Sequence, residues 1–270
     1  MRILLALSIV AMLAACGDQP SPVAEIGWRF DYKDYRDADA AEDLRACDNA
    51  PPSHVGPAYS PIETVTINIQ DPERQVPGID NKVFQCAQGT SGDRVPIRGI
   101  VKQIYELTIE AKSAGGAVLY RYEDAEFDLS TEVAKTFVLD TATGELSFFP
   151  TYDGRDDCPA GVDNVSYALY QIDDGTPATD PTVKGVLPQA CVADGLGNMI
   201  PKKLFIREIP VDVDPIDGQQ FVSFRLLIEA RDGSASNNVL HCVDENRSVR
   251  PGNSSVTMSN NAILMPGTCP

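Results

Sequence analysis

Histidine is nearly absent: His54 and His241 are the only two in 270 residues. No C-x-x-C pair occurs either, so a thiolate–imidazole zinc site has no support in the spacing. Basic residues are scarce, 22 Lys and Arg against 39 Asp and Glu, for a net charge of -17. Such a chain presents a repulsive field to nucleic acid, which excludes it as a partner. Neither a G-x-S-x-G elbow nor a G-x-x-x-x-G-K loop is present, so triad acyl transfer and P-loop phosphate chemistry lack their motifs. No apolar run reaches the roughly 20 residues that span a bilayer. Low complexity is missing too. With 43% hydrophobic residues, and 20 Gly and 20 Pro spread along the chain, a sizeable core is affordable. The length suggests one large domain or two small ones.

What is there begins with an address. Arg2 opens a short apolar run from Ile3 to Ala15, closed by Leu13-Ala14-Ala15-Cys16. Charge, length and closing box have the form of an export signal. The box resembles the lipobox of bacterial lipoproteins, and that resemblance implies cleavage before Cys16 and lipidation of Cys16. Residues 1–15 would then be the signal peptide and residues 16–25 a lipidated tether, leaving lipid as the membrane attachment. Cleavage removes Arg2 and no acid, so the mature chain is one unit more negative. In enteric-type lipoproteins an Asp directly after the cysteine resembles an inner-membrane retention signal. Gly17 holds that position here and Asp18 the next, so the expected location is the outer membrane.

The remaining cysteines fit an oxidising compartment. Cys47, Cys86, Cys158, Cys191, Cys242 and Cys269 are an even set, which reads as up to three disulfides in an exported chain. Six cysteines allow 15 pairings. Loop closure alone favours neighbours, 47 with 86, 158 with 191 and 242 with 269.

Most of the chain alternates with period two. Ile62–Gln70 sets Val65, Ile67 and Ile69 against Thr64, Thr66 and Asn68. Tyr105, Leu107, Ile109 and Ala111 oppose Glu106, Thr108, Glu110 and Lys112. Phe224, Leu226, Ile228 and Ala230 oppose Arg225, Leu227 and Glu229. One polar face per strand means half-buried antiparallel sheet. Further strands are expected at 117–122, 136–139, 145–149, 165–172, 203–209, 239–243 and 256–264. Turns at Gly115-Gly116, Asp153-Gly154, Asp174-Gly175, Asp217-Gly218 and Asp232-Gly233 separate many of them. One short helix is expected from Asp39, with Glu42 completing a capping box, to Cys47. A faint repeat links YELTIEA at 105–111 to FRLLIEA at 224–230, with VSYALYQIDDG at 165–175 a related phrase.

The stretch Phe137-Val138-Leu139-Asp140-Thr141-Ala142-Thr143-Gly144-Glu145-Leu146-Ser147 resembles the hairpin of cadherin-like and Ig-like bacterial surface modules. That resemblance implies strand, Asp-initiated turn, a Gly at positive φ, and strand again. It also implies that the Asp-Gly phrases at 165–175 and 223–233 end such modules. The fold class expected is therefore mainly β, an Ig-like or cadherin-like antiparallel β-sandwich of one or two modules, stapled by disulfides. The expected division is 26–115 and 116–270. Cadherin calcium ligands of the D-x-N-D-N kind are missing, and Thr141 and Ala142 follow Asp140 where a Glu would stand, so the resemblance does not extend to calcium.

Few residues carry chemistry. Asp212, Asp214 and Asp217 with Gly218 approximate a calcium loop, but the third acid and the Gly each fall one place late and Ser223 stands where Glu is required. They are weak calcium candidates and otherwise an acidic turn; no other metal or cofactor is indicated. His54 lies in a Pro-rich loop and His241 beside Cys242 in a strand. With 39 acids some carboxylate pair must fall at a glycosidase spacing, so that pattern discriminates nothing. Tyr105, Tyr120 and Tyr122 are either core or a contact surface. The reading is a lipid-anchored envelope protein, non-catalytic, contacting protein or glycan. The alternatives are an accessory subunit of a secretion, pilus or transport assembly and, third, a glycan hydrolase.

Overall fold

The strand Ile104–Ser113 shows why the chain folds as it does. Tyr105, Leu107, Ile109 and Ala111 are fully buried while Glu106 is exposed and Thr108, Glu110 and Lys112 are half-buried, as a pleat requires. In the computed structural model, residues 24–30, 47, 60–155, 157–188, 191–211, 221–250, 252–257 and 262–269 are described. Seven strands form the first sheet: β1 Ala24–Phe30, β2 Ile62–Gln70, β3 Ile79–Gln85, β4 Val95–Ile97, β5 Ile104–Ser113, β6 Val118–Asp128 and β7 Val133–Thr141. Their order is β3-β2-β5-β6-β7-β1-β4. Only two residue pairs join β6 to β7, so the sheet folds over at that seam. Trp28 of β1 consequently meets Phe84 of β3, from the far end of the sheet, with ring centroids 6.1 Å apart. Phe30 lies 5.1 Å from Tyr120 of β6, and the Trp28 indole donates to the Cys86 carbonyl at 2.9 Å. One core from Ala24 to Leu139 results.

The second core runs from Leu146 to Leu264. Its strands are β8 Thr143–Phe148, β9 Pro150–Tyr152, β10 Asn164–Asp173, β11 Thr176–Pro177, β12 Val183–Pro188, β13 Cys191–Ala193, β14 Met199–Pro201, β15 Leu204–Pro210, β16 Val222–Arg231, β17 Val239–Val249, β18 Gly252–Thr257 and β19 Ala262–Pro266. A sheet ordered β11-β10-β16-β17-β19-β9, with β12 also on β10, packs on a three-stranded sheet ordered β15-β8-β18. Leu146, Phe148 and Ile206 of the smaller sheet meet Val165, Leu169, Phe224, Leu226 and Ile228 of the larger. Two sheets with one core between them make a sandwich. Disulfides join Cys47 to Cys86, Cys158 to Cys191 and Cys242 to Cys269, with Cα atoms 5.5, 6.2 and 5.3 Å apart.

The mainly β, disulfide-stapled fold class holds, and several details differ from the sequence reading. The sheets are not purely antiparallel. β1 runs parallel to β7, β18 to β8 and β19 to β9. Each parallel pair joins strands far apart in sequence, because a tight hairpin can join only antiparallel strands. The tether expected to reach residue 25 ends earlier, because Ala24 and Glu25 already pair with β4 and β7. Residues 115 and 116 form the turn between β5 and β6, so a division there cuts a hairpin of one sheet. The change of core comes instead between Leu139 and Leu146.

The 137–147 phrase is not a hairpin. β7 stays in the first sheet and β8 enters the second sandwich, so this stretch is the crossover between the two cores. Gly144 is absent from the positive-φ residues and lies in β8. A Cβ there would collide with the Arg250 carbonyl and the Val249 side chain, and would sit 3.2 Å from Val211 Cγ2. The glycine is needed for close approach, not for a turn. The phrases at 165–175 and 223–233 are likewise not module ends: β10 and β16 lie side by side in one sheet. The helix expected at 39–47 falls outside the described residues except for Cys47.

Candidate functional site

The larger sheet of the second sandwich turns one face to the core; on the other, Cys242 is covered by its disulfide to Cys269, while the β12-β10-β16 part is open. Register builds that outer face in three rows. Val186, Ser166, Glu229 and Cys242 lie across β12, β10, β16 and β17; so do Lys184, Ala168, Leu227 and Asp244; Tyr170, Arg225 and Asn246 complete the third row. Ala168 and Leu227 make an apolar floor, with Val186 largely exposed beside it. An open trough of about 640 Å³ runs over these residues and is bounded by Tyr170, Pro181, Lys184 and Glu229.

Charge is fixed at the margins. Arg225 grips Asp244 with both arms of its guanidinium, Nε to Oδ1 at 2.9 Å and Nη2 to Oδ2 at 2.5 Å. The hydrogen bond from Arg225 holds the Asp244 carboxyl below its ordinary range, and the same bond raises Arg225. Arg231 pairs with Glu229 and donates from Nε to Ser166 Oγ at 3.0 Å, while Ser166 donates to Glu229 at 3.3 Å. Of these groups Ser166 and Glu229 line the trough, and their shared contacts with Arg231 hold them in place. Beneath the trough Tyr167 faces inward. A Cβ at Gly185 would stand 2.6 Å from its hydroxyl, so only glycine lets the ring lie across β12 and hold that strand against β10.

The sequence candidates fall elsewhere. Tyr105 and Tyr120 are buried and Tyr122 packs 4.9 Å from Phe137, so this trio is core. His241 also faces inward, its ring 5.3 Å from Tyr152, with Nδ1 lacking a hydrogen-bond partner. Cys16, His54, Asp212, Asp214 and Asp217 lie outside the described residues. Among the described residues no group of three or more His, Cys, Asp and Glu could hold a metal.

Acid catalysis needs a carboxyl kept protonated near neutral pH. Here the shifted carboxylates move the other way. Backbone N–H groups of Val76, Gln75 and Glu73 lower Asp71, and side chains of Ser234 and Asn238 bring Asp232 down to about 2. Ser130 lowers Asp128 and Asn198 lowers Asp194. Burial pushes Glu110 up, but Lys112 and Arg121 outweigh it and leave it low. Buried Glu145 accepts from Arg207 Nε at 2.7 Å. These acids serve turns and ion pairs.

Sequence patterning does not single out the trough residues, although one signal is present. Leu227 sits on the polar side of an otherwise alternating strand. Nothing local to it says that β12 lies two strands away.

No protein-family model matches the chain, and no curated protein matches it. Among solved structures it is similar to a candidate adhesin of Bacteroides thetaiotaomicron, at 9% identity and TM-score 0.43 over 84% of this chain and 81% of that one. A candidate adhesin of Bacteroides ovatus aligns at 10% and 0.41 over 95% and 99%. The fimbrial anchor protein Mfa2 of Porphyromonas gingivalis aligns at 9% and 0.40 over 82% and 81%. The likeness is one of β-rich architecture, and no residue role passes across it.

Proposed function

We propose that this chain is a lipid-anchored envelope protein whose second sandwich binds a glycan on its open sheet face. The observation that carries the reading is the trough itself, an apolar floor of Ala168 and Leu227 flanked by Tyr170, Lys184 and a Glu229 held by Arg231. Sugar rings pair apolar C–H faces with a rim of hydroxyls. Such a ligand matches an aromatic and aliphatic floor bounded by oriented donors and acceptors. Lipidation of Cys16 would tether the chain to the outer membrane.

Glycan arrays probed with the purified chain, with and without calcium, test the reading. Binding is expected without calcium and should vanish in Leu227→Asp, which puts an unpaired charge on the floor. Binding that survives Leu227→Asp places the ligand elsewhere, and a blank array for the parent chain sinks the glycan reading.

A second reading, as a subunit of an envelope assembly, has one observation in its favour. Ile263 and Met265 are exposed on one face of β19, and exposed Phe149 directly precedes β9, its parallel neighbour. Cross-linked pull-down from native membranes decides it, because a stoichiometric protein partner lost in Ile263→Asp would establish the assembly role.

A further inference from the structure

Residues 94–105 read RVPIRGIVKQIY, carrying Arg94, Arg98 and Lys102 and no acid, in a chain of net charge -17. Register places this stretch at one end of the molecule. Ile97, the last residue of β4, pairs with Ala24, the first residue of β1. The chain leaving β4 therefore turns over the end of the sheet at which β1 begins. In that turn Val101 is 55% exposed and Ile104 52% exposed, with exposed Lys102 between them.

The turn is built, not loose. The Tyr105 hydroxyl donates to the Val101 carbonyl at 2.9 Å, Leu129 N donates to the Gln103 carbonyl at 2.9 Å, and Ile100 is buried beneath. Two apolar side chains held outward with a cation between them gain nothing from the fold. They suit the boundary between lipid headgroups and acyl chains, where apolar tips enter and an ammonium stays beside phosphate.

Chain length supplies the occupant. Cys16 is eight peptide steps from Ala24, a reach of at most about 29 Å. Acyl chains on Cys16 would hold a membrane surface within that distance of the end that carries Val101 and Ile104. We propose that Val101, Lys102 and Ile104 make a second contact with the phospholipid surface in which the Cys16 acyl chains sit. This rests on the lipidation reading above. Asp128, the last residue of β6, is exposed directly opposite Ile104, and Glu132 stands in the turn that follows. The contact is thus a narrow apolar and basic strip with an acid at its edge and not a broad positive field.

The contact sets an orientation. β7 runs parallel to β1, from Val133 opposite Ala24 to Thr141 at the crossover. About 25–30 Å of sheet thus separates the membrane end from the second sandwich. Ser60, just before β2, accepts the same arrangement by donating its N–H to Glu208 of the second sandwich at 2.6 Å. The first module is then a spacer that presents the trough away from the lipid.

The test uses the full-length acylated chain in vesicles of phosphatidylethanolamine and phosphatidylglycerol carrying brominated acyl chains. Val101→Trp is compared with Val83→Trp, since Val83 is 58% exposed on edge strand β3. The emission added at 101 should shift to the blue and fall several-fold with brominated lipid, while that added at 83 stays unquenched. Lys102→Glu on the Val101→Trp background should weaken the quenching. Vesicle-bound protein with equal, unquenched emission at both positions overturns the proposal and leaves lipidation standing. Quenching unaffected by Lys102→Glu overturns the part assigned to that lysine. Protein that fails to float with vesicles and shows no acyl mass on its N-terminal peptide overturns lipidation and this contact together.

Discussion

β5 and β16 are the middle strands of the two cores, and they carry nearly the same letters to different ends. Inward, Tyr105, Leu107, Ile109 and Ala111 match Phe224, Leu226, Ile228 and Ala230, all buried. Outward they part. β5 shows Thr108 and Glu110, the latter clamped by Arg121 at 2.9 Å and Lys112 at 2.8 Å. β16 shows Leu227 between the Arg225–Asp244 and Arg231–Glu229 pairs, with the trough above it. The inner face answers to packing, which is the same problem in both halves. The outer face is free to differ, and among the described residues that of the second half carries the trough.

The largest expected difference between the halves comes from reduction. The second half holds two disulfides, spanning 33 and 27 residues, and the first half one, spanning 39. Loops of this size are each worth about 4 kcal/mol in the chain-entropy account. Trp28, the one tryptophan, lies in the first core and reports it alone. In strong reductant the circular dichroism transition should move to lower denaturant further than the Trp28 transition does. Equal displacement of the two would break the comparison. Core truncations come next: Leu107→Ala and Leu226→Ala should each cost about 2–5 kcal/mol and agree within about 1 kcal/mol, read from denaturant midpoints. A clear inequality would show that the matching letters do not do matching work. Gly144→Ala should cost about 1–3 kcal/mol by overpacking against Arg250 and Val249, with the Trp28 transition unmoved.

How far the sequence could be read follows from how local each feature is. The alternation in β2, β5, β10 and β16 names the strands and their buried faces, because pleat and burial act residue by residue. β1 alternates as well, with Ala24, Ile26, Trp28 and Phe30 buried and Glu25 and Arg29 exposed. Only Gly27, packed against the Asp93 carbonyl, is buried on its outer side, and a seven-residue run isolated from the other strands gives the pattern little to stand on. The 137–147 phrase has turn letters at turn spacing, yet its Gly144 answers to Val249 and Arg250, about a hundred residues on. The trough depends on β12 pairing with β10 and β10 with β16, and no stretch of a dozen residues contains that pairing.

A smaller effect sharpens the difference between the outer faces. Leu227→Asp and Thr108→Asp are both outward changes that set an acid opposite an acid, Asp244 and Glu123, so each should cost a similar amount, about 1 kcal/mol. Only Leu227→Asp should abolish glycan binding. Loss of binding in both variants would mean that the effect is on the net charge of the chain and not on the trough.

The smallest prediction concerns a single ring at equivalent positions. Ala111 of β5 pairs with Tyr120, and Ala230 of β16 pairs with His241. The swap places a titrating group in the second core. Burial lowers the pKa of His241, and the charge of Asp153 only partly opposes it. Its folded pKa therefore lies below the unfolded value near 6.5, and the unfolded chain takes up the proton first as pH falls. The stability that His241 contributes is complete above pH 6.5 and is lost as pH drops towards its folded pKa. The lowered carboxylates act in a more acid window, with Asp232 titrating at about 2. Denaturant midpoints at pH 7.5 and 5.5 should thus differ for the second core and stay level for the Trp28 transition. His241→Gln should remove the difference. A pH dependence that persists in His241→Gln would assign it to another group and leave the two rings equivalent in effect.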